Sequence, residues 1–211
     1  MLVVAKAPVA GQAKTRLGSV VGPEVAAELA AASLLDTLRA CAEAAGVASC
    51  HAALTGDLDS AVRADDVRRA LAGWTIHAQH GPDFATRLVN AHLALPPGRP
   101  VVQVGMDTPQ VHPQLLSEVG ALTADHEAVL GPAPDGGWWV LALRDPSRAA
   151  PLARVPMSTP TTYDDTRRAL EEDGLTVAAT TELRDVDTVE DAELVAAQAP
   201  DTEFARVWCR R

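Results

Sequence analysis

The most constraining feature of this chain is an alternation of short apolar runs with longer helix-like stretches along its whole length. Runs of strand length stand at Leu2–Ala5, Ala48–Leu54, Trp74–Ala78, Pro100–Val104, Ala128–Gly131, Trp138–Leu143 and Leu175–Ala178. Helical stretches are expected between and after them, near Pro23–Ala45, Asp83–Leu95, Pro113–Ala124, Thr161–Asp173 and Val189–Ala197. The first carries Leu29, Leu34, Leu35 and Leu38 among alanines, so one side is apolar enough to pack on a sheet. This order predicts an α/β domain with a mostly parallel sheet. Val101-Val102-Gln103-Val104 is nearly continuous in apolar character, as strands covered on both faces are. At 211 residues the chain can bury one full core, and a single domain over residues 1–211 is expected. The Pro-, Ser- and Arg-rich stretch Asp145–Pro160 is the expected excursion, a loop or flap.

In open α/β sheets ligands sit beyond the carboxyl ends of the strands, so the loops there carry the functional information. The loop after the first run holds the only two lysines of the chain, Lys6 and Lys14, among 18 basic residues. With Arg16 it gathers three cations in a protein of formal charge -10. A basic loop leaving a buried strand suits phosphates. It has neither the G-x-G-x-x-G fingerprint of a dinucleotide fold nor the glycine that a P-loop places directly before Lys-Thr. Pro8 and Gly11 are expected to shape the turn, leaving Lys14, Thr15 and Arg16 to meet a di- or triphosphate.

Three further loops carry carboxylates. Gly105-Met106-Asp107-Thr108-Pro109 ends a strand with an aspartate suited to Mg²⁺, which is typically held by one or two carboxylates plus substrate phosphates. The alternative is that Asp107 caps the helix beginning near His112. Asp135-Gly136-Gly137 reads first as a turn, and bare glycine backbone would also let a ligand approach, with Trp138 as a flat wall. Asp187-Thr188 precedes a helix whose first turn holds Glu190 and Asp191, acids that favour the helix dipole. One carboxylate from this segment would complete a metal site with Asp107: Asp187 by pattern, with Asp185 second. The six histidines show no metal-ligand spacing.

Composition excludes several classes. The negative charge and the lack of a basic stripe argue against nucleic acid, and no apolar run approaches the roughly 20 residues of a membrane helix. No signal peptide is read at the N-terminus. Cys41, Cys50 and Cys209 form neither a disulfide framework nor a zinc pattern, so a reducing cytoplasm is expected. Oligomeric state stays open.

The four loops in this order resemble the glycosyltransferase-A-like transferases related to 2-phospho-L-lactate guanylyltransferase and the molybdenum-cofactor guanylyltransferases. The resembling segments are Ala5–Leu17, Gly105–Pro109, Gly131–Gly137, Ser158–Pro160 and Asp185–Asp191. The resemblance implies a three-layer α/β/α nucleotide-diphosphate transferase fold. It implies Lys14 and Arg16 on phosphates, Asp107 on a metal and, by similarity to sugar cytidylyltransferases, Asp187 as second ligand. Met106 and Trp138-Trp139 depart from the residues usual there.

The reading that follows is a Mg²⁺- or Mn²⁺-dependent nucleotidyltransferase that joins a nucleotide to a small phosphorylated metabolite. In it, Lys14 and Arg16 neutralise charge, and with Lys6, Pro8, Gly11, Thr15, Gly136, Gly137 and Trp138 they form the nucleotide site; Asp135 is a further catalytic candidate, with no obligatory role as base. A glycosyltransferase using a nucleotide sugar is the alternative, with Asp135 as base. A nucleotide-binding protein without turnover is the third reading.

Overall fold

The computed structural model describes all residues, Met1–Arg211. Its strands are β1 (Leu2–Lys6), β2 (His51–Thr55), β3 (Thr75–Ala78), β4 (Val101–Val104), β5 (Ala128–Pro132), β6 (Trp138–Leu143) and β7 (Val177–Ala179). Its helices are α1 (Thr15–Val21), α2 (Pro23–Ala45), α3 (Ala64–Ala70), α4 (Phe84–Leu93), α5 (Pro113–Leu122), α6 (Thr162–Glu172), α7 (Val189–Gln198) and α8 (Glu203–Arg210). The strands form one seven-stranded sheet in the order β3-β2-β1-β4-β6-β5-β7. Strand β6 runs antiparallel to β4 and β5, and every other pairing is parallel.

Strand periodicity divides the core. Val3 and Ala5 face one side with Leu34 and Leu38 of α2 and Leu116 and Val119 of α5. Leu2 and Val4 face the other with Leu88 of α4, Leu170 of α6 and Leu152. Successive side chains of a strand point to opposite faces, so one run supplies both cores. The result is the expected three-layer α/β/α fold with a mostly parallel sheet. A third cluster joins Leu17 of α1, Leu29 of α2, Val195 of α7 and Phe204 and Trp208 of α8. Asp36 of α2, 2% exposed, adds to the local Thr202 cap of α8, accepting from the Glu203 and Phe204 amides at 3.0 and 2.8 Å.

The structure departs from the sequence expectation in four places. Gly46 adopts φ 76° and Val47–Ser49 turn as a 3₁₀ segment, so β2 starts later than the apolar run. Leu175 is a buried contact after α6, and β7 begins at Val177. The short helices α1, α3 and α8 lie where no helix is expected. The excursion is no free flap, because Pro146–Arg154 form 3₁₀ turns that seat fully buried Ala149 and Leu152 against the α4 side of the sheet.

The chain reverses its direction of growth across the sheet between β1 and β4, the switch point at which such folds bind ligands. Because β5 runs with β4, and β7 with β5, the loops after β1, β4, β5 and β7 all open at that one end.

Candidate active site

Backbone hydrogen bonds lace these loops together. The Val186 amide donates to the Asp107 carbonyl at 2.9 Å, and Leu183 donates to Pro132 at 3.1 Å. Gln110 Nε2 donates to the Arg184 carbonyl at 2.6 Å, and Ser33 of α2 holds the Met106 carbonyl at 2.6 Å. These ties bring Asp107 and Asp187 to one point. His112, not Asp107, caps α5, its Nδ1 accepting from the Leu115 amide at 3.2 Å. Thr188 caps α7 in a reciprocal capping box with Asp191. Asp107 and Asp187 are therefore both free of capping duty.

Between them stands Lys14. Its Nζ lies 2.7 Å from Asp107 Oδ1 and 3.2 Å from Asp187 Oδ1, and it also donates to the Val186 carbonyl. The Lys14 side chain is 7% exposed, while Asp107 and Asp187 are 42% and 39% exposed. Burial alone would lower the ammonium's pKa, but the two carboxylates more than reverse this and raise it above its ordinary value. Lys14 itself sits in the left-handed region at φ 50°, at the N-cap of α1. Its charge is thus turned towards carboxylates, where the sequence reading turned it towards phosphates.

Two adjoining cavities share Arg16, Asp107 and Asp187. The smaller, about 250 Å³, is bordered by Lys6, Gln12, Lys14, Thr15 and Arg16. Arg16 is 78% exposed and 3.5 Å from Asp187 Oδ2, and Lys6 reaches the Gln12 carbonyl at 2.9 Å. Pro8 and Gly11 (φ 74°) shape the turn without lining the cavity. The larger, about 510 Å³, is walled by Trp138, Phe84 and Met157 and by the hydroxyls of Thr108, Ser158, Thr159 and Thr162. Four carboxylates face it, Asp107, Asp135, Asp185 and Asp187, against the single cation Arg16. Burial first, then the charges of Asp135 and Asp187, pushes Asp185 up to about 6. Thr108 Oγ1 is buried without a partner in this wall.

The turn Asp135–Gly137 is held by the Gly137 amide donating to Asp135 Oδ1 at 2.8 Å. Gly136 is not bare for a ligand's sake, since a Cβ there would lie 2.0 Å from the Pro160 carbonyl oxygen. Trp138 anchors its indole N–H on Thr166 at 3.1 Å, and Trp139 is 3% exposed in the core. The structure thus gathers Lys6, Lys14, Thr15, Arg16, Asp107, Asp135, Gly137, Trp138 and Asp187 around the two cavities. Sequence reasoning passed over Thr108, although it stands next to Asp107, and Phe84, which only the fold carries to the rim.

The carboxylate pair fits a hard divalent cation in its donor chemistry: two aspartate oxygens already converge on one positive charge. No group of three metal-ligating side chains converges anywhere in the chain. Two carboxylates with substrate phosphates and water completing the shell is, however, the usual donor set for Mg²⁺. No helix is long and apolar enough to cross a membrane.

Comparisons agree with this geometry at the level of fold. The profile of a family described as "Uncharacterized protein conserved in bacteria (DUF2064)" matches residues 37–159. A protein from Desulfovibrio desulfuricans G20, provisionally named a nucleotide-diphospho-sugar transferase, is similar over 99% of this chain and 93% of its own, with TM-score 0.85 and 24% identity. Rv0371c from Mycobacterium tuberculosis H37Rv, solved as a complex with manganese, is 21% identical over 92% of this chain and 96% of its own, with TM-score 0.55. The 4-diphosphocytidyl-2C-methyl-D-erythritol synthase of Anaerococcus prevotii DSM 20548 is 12% identical over 94% and 97%, with TM-score 0.60. The shared architecture is the nucleotide-diphospho-sugar transferase fold. Neither the family description nor these three structures names a guanylyltransferase. No curated protein matches the chain in sequence.

Proposed function

The chain belongs to the DUF2064 family, and from that premise we propose that it is a divalent-cation-dependent transferase taking a nucleotide-sugar donor and a hydroxyl-bearing, unphosphorylated acceptor. The observation that carries this reading is that two carboxylates of the larger cavity, Asp135 and Asp185, have no ion-pair partner and stay uncompensated when Asp107 and Asp187 hold the cation. A phosphorylated acceptor brings about two negative charges of its own and would meet like charge there.

In this account Lys6, Thr15 and Arg16 bind the donor's phosphates on the side of the smaller cavity. Asp107 and Asp187 hold Mg²⁺ or Mn²⁺, which when bound supplies Lewis-acid stabilisation of the leaving diphosphate. Trp138 and Phe84 form the apolar wall for the acceptor. The bond from the sugar's anomeric carbon to the diphosphate oxygen breaks, and the acceptor oxygen takes that carbon. Its proton passes to a carboxylate, for which Asp135 and Asp185 are the two candidates.

Nucleotidyl transfer from a nucleoside triphosphate is the second reading. It is favoured by the exposed Arg16 and by Lys6, both bordering the smaller cavity, and by the cytidylyl chemistry in the name of one structural neighbour. Three free cysteines, two of them buried, suit the reducing cytoplasm proposed for it.

Thermal unfolding against a panel of nucleoside diphosphates, nucleotide sugars and triphosphates, with and without Mn²⁺, tests the site. A true donor at about 100 times its dissociation constant should add roughly 2.7 kcal/mol, and only with the metal. Stabilisation by nothing in the panel, or equally without metal, would count against the account.

A further inference from the structure

The position of Lys14 has a consequence for how this site fills, given the reading of the cleft as a metal-assisted transferase site. Its ammonium is shared by the two carboxylates that would hold the metal, at 2.7 and 3.2 Å, and is closed off from solvent. A divalent ion about 2.1 Å from the same Asp107 oxygen would stand within roughly 5 Å of that ammonium. Two cations so close, three positive charges on two carboxylates, repel strongly in a half-buried site. Nothing else positive is within reach of both carboxylates, since Arg16 touches only Asp187.

The lysine has somewhere to go. It borders the smaller cavity alongside Lys6 and Arg16. Its backbone is fixed at the start of α1, and a four-carbon stem has the rotatable bonds to carry the ammonium about that anchor. Arginine, with a planar fork that needs matched partners, is less suited to such a movement.

We propose that Lys14 is the resident counter-ion of the metal-free site, exchanging places with the divalent cation. In the absence of metal its ammonium holds Asp107 and Asp187 together. When the metal takes the carboxylates, the ammonium turns into the smaller cavity, where the donor's phosphates receive it. Metal alone must drive the ammonium into a cavity that offers it no anion besides the two carboxylates the metal has taken. Metal and phosphate-bearing donor together complete both sites, so each favours the other's binding.

The test is Mn²⁺ binding to the full chain with no phosphate compound present, followed through the electron paramagnetic resonance signal of free Mn²⁺. The parent, Lys14→Met and Lys14→Gln are compared, the last keeping hydrogen-bonding capacity in case the first folds poorly. Removing the competing charge should tighten Mn²⁺ binding at least about tenfold. The variants should also melt lower than the parent without metal, and recover more of their melting temperature when Mn²⁺ is added. A lysine that merely braced the loop would give the lower melting temperature without the tighter binding. If the parent binds Mn²⁺ and the folded variants bind it equally or more weakly, the exchange is wrong while the metal site stands. If neither parent nor variants bind Mn²⁺ at millimolar concentration, the carboxylate pair is not a divalent-cation site and the exchange falls with it.

Discussion

Asp107→Asn is expected to fold like the parent and to lose metal-dependent donor binding. Asparagine is isosteric and can still accept a hydrogen bond from Lys14, and the Val186–Asp107 backbone bond is untouched. The carboxylate is 42% exposed, so solvent screens its ion pair and the stability loss should stay near 1 kcal/mol or less. The catalytic loss should be far larger. The substitution halves the anionic charge available to the cation at the point where the leaving diphosphate gathers negative charge. Loss of one such stabilising contact costs about 10²–10³ in turnover. Denaturant unfolding together with donor titration in Mn²⁺ separates the two effects. A folded variant with unchanged Mn²⁺-dependent binding would show that Asp107 is not a ligand.

Gly136→Ala is expected to be among the most destabilising single-methyl additions in the chain. Gly136 has φ 89°, and a Cβ would lie 2.0 Å from the Pro160 carbonyl oxygen, 2.5 Å from its carbonyl carbon and 2.7 Å from its Cα. All three are backbone atoms, so no side chain can swing aside. The Tyr163 amide also donates to the Gly136 carbonyl at 2.8 Å, fixing the approach. Gly174 provides the control: its φ is 84°, but nothing lies within 4 Å of the added Cβ. Gly174→Ala should therefore cost only the conformational penalty, about 1 kcal/mol, and Gly136→Ala about 2–4 kcal/mol. Because Ser158, Thr159 and Pro160 line the larger cavity, the displaced turn should weaken acceptor use more than donor binding. Equal losses of stability in the two variants, measured by urea unfolding, would mean that the Pro160 contact is not the reason for the glycine.

Much of the scaffold is legible in the sequence, because strand and helix signals are local. The run Pro23–Ala45 starts with proline and ends before a glycine, and α2 has those bounds. The cluster Asp187–Asp191 reads as a helix start, and Thr188 and Asp191 form its capping box. The carboxylate loops are legible too, since strand order puts every one of them at a single end of the sheet. Long-range direction is not. Lys14 meets a carbonyl 172 residues away, and no local pattern says whether a loop lysine points at a ligand or at the protein's own aspartates. Gly136 looks like a turn glycine, whereas its tightest constraint comes from the Pro160 backbone, in a different loop. α1 has no acid in its first turn, no base in its last and no side-chain cap, so only packing of Leu17 against α2 and α7 selects it. α3, with Asp65 and Asp66 at its start and Arg68 and Arg69 at its end, did carry a readable signal.

The identity of the leaving group separates glycosyl transfer from nucleotidyl transfer. Purified protein with Mn²⁺ is incubated with nucleotide sugars and, separately, with nucleoside triphosphates. Each is offered with neutral hydroxylated acceptors and with their phosphorylated counterparts, and the released products are separated and quantified. Metal-dependent release of a nucleoside diphosphate from a nucleotide sugar is expected, accelerated by an unphosphorylated acceptor and lost in Asp107→Asn. Release of pyrophosphate from a triphosphate, stimulated by a phosphorylated acceptor and with nucleotide sugars left intact, would contradict that expectation.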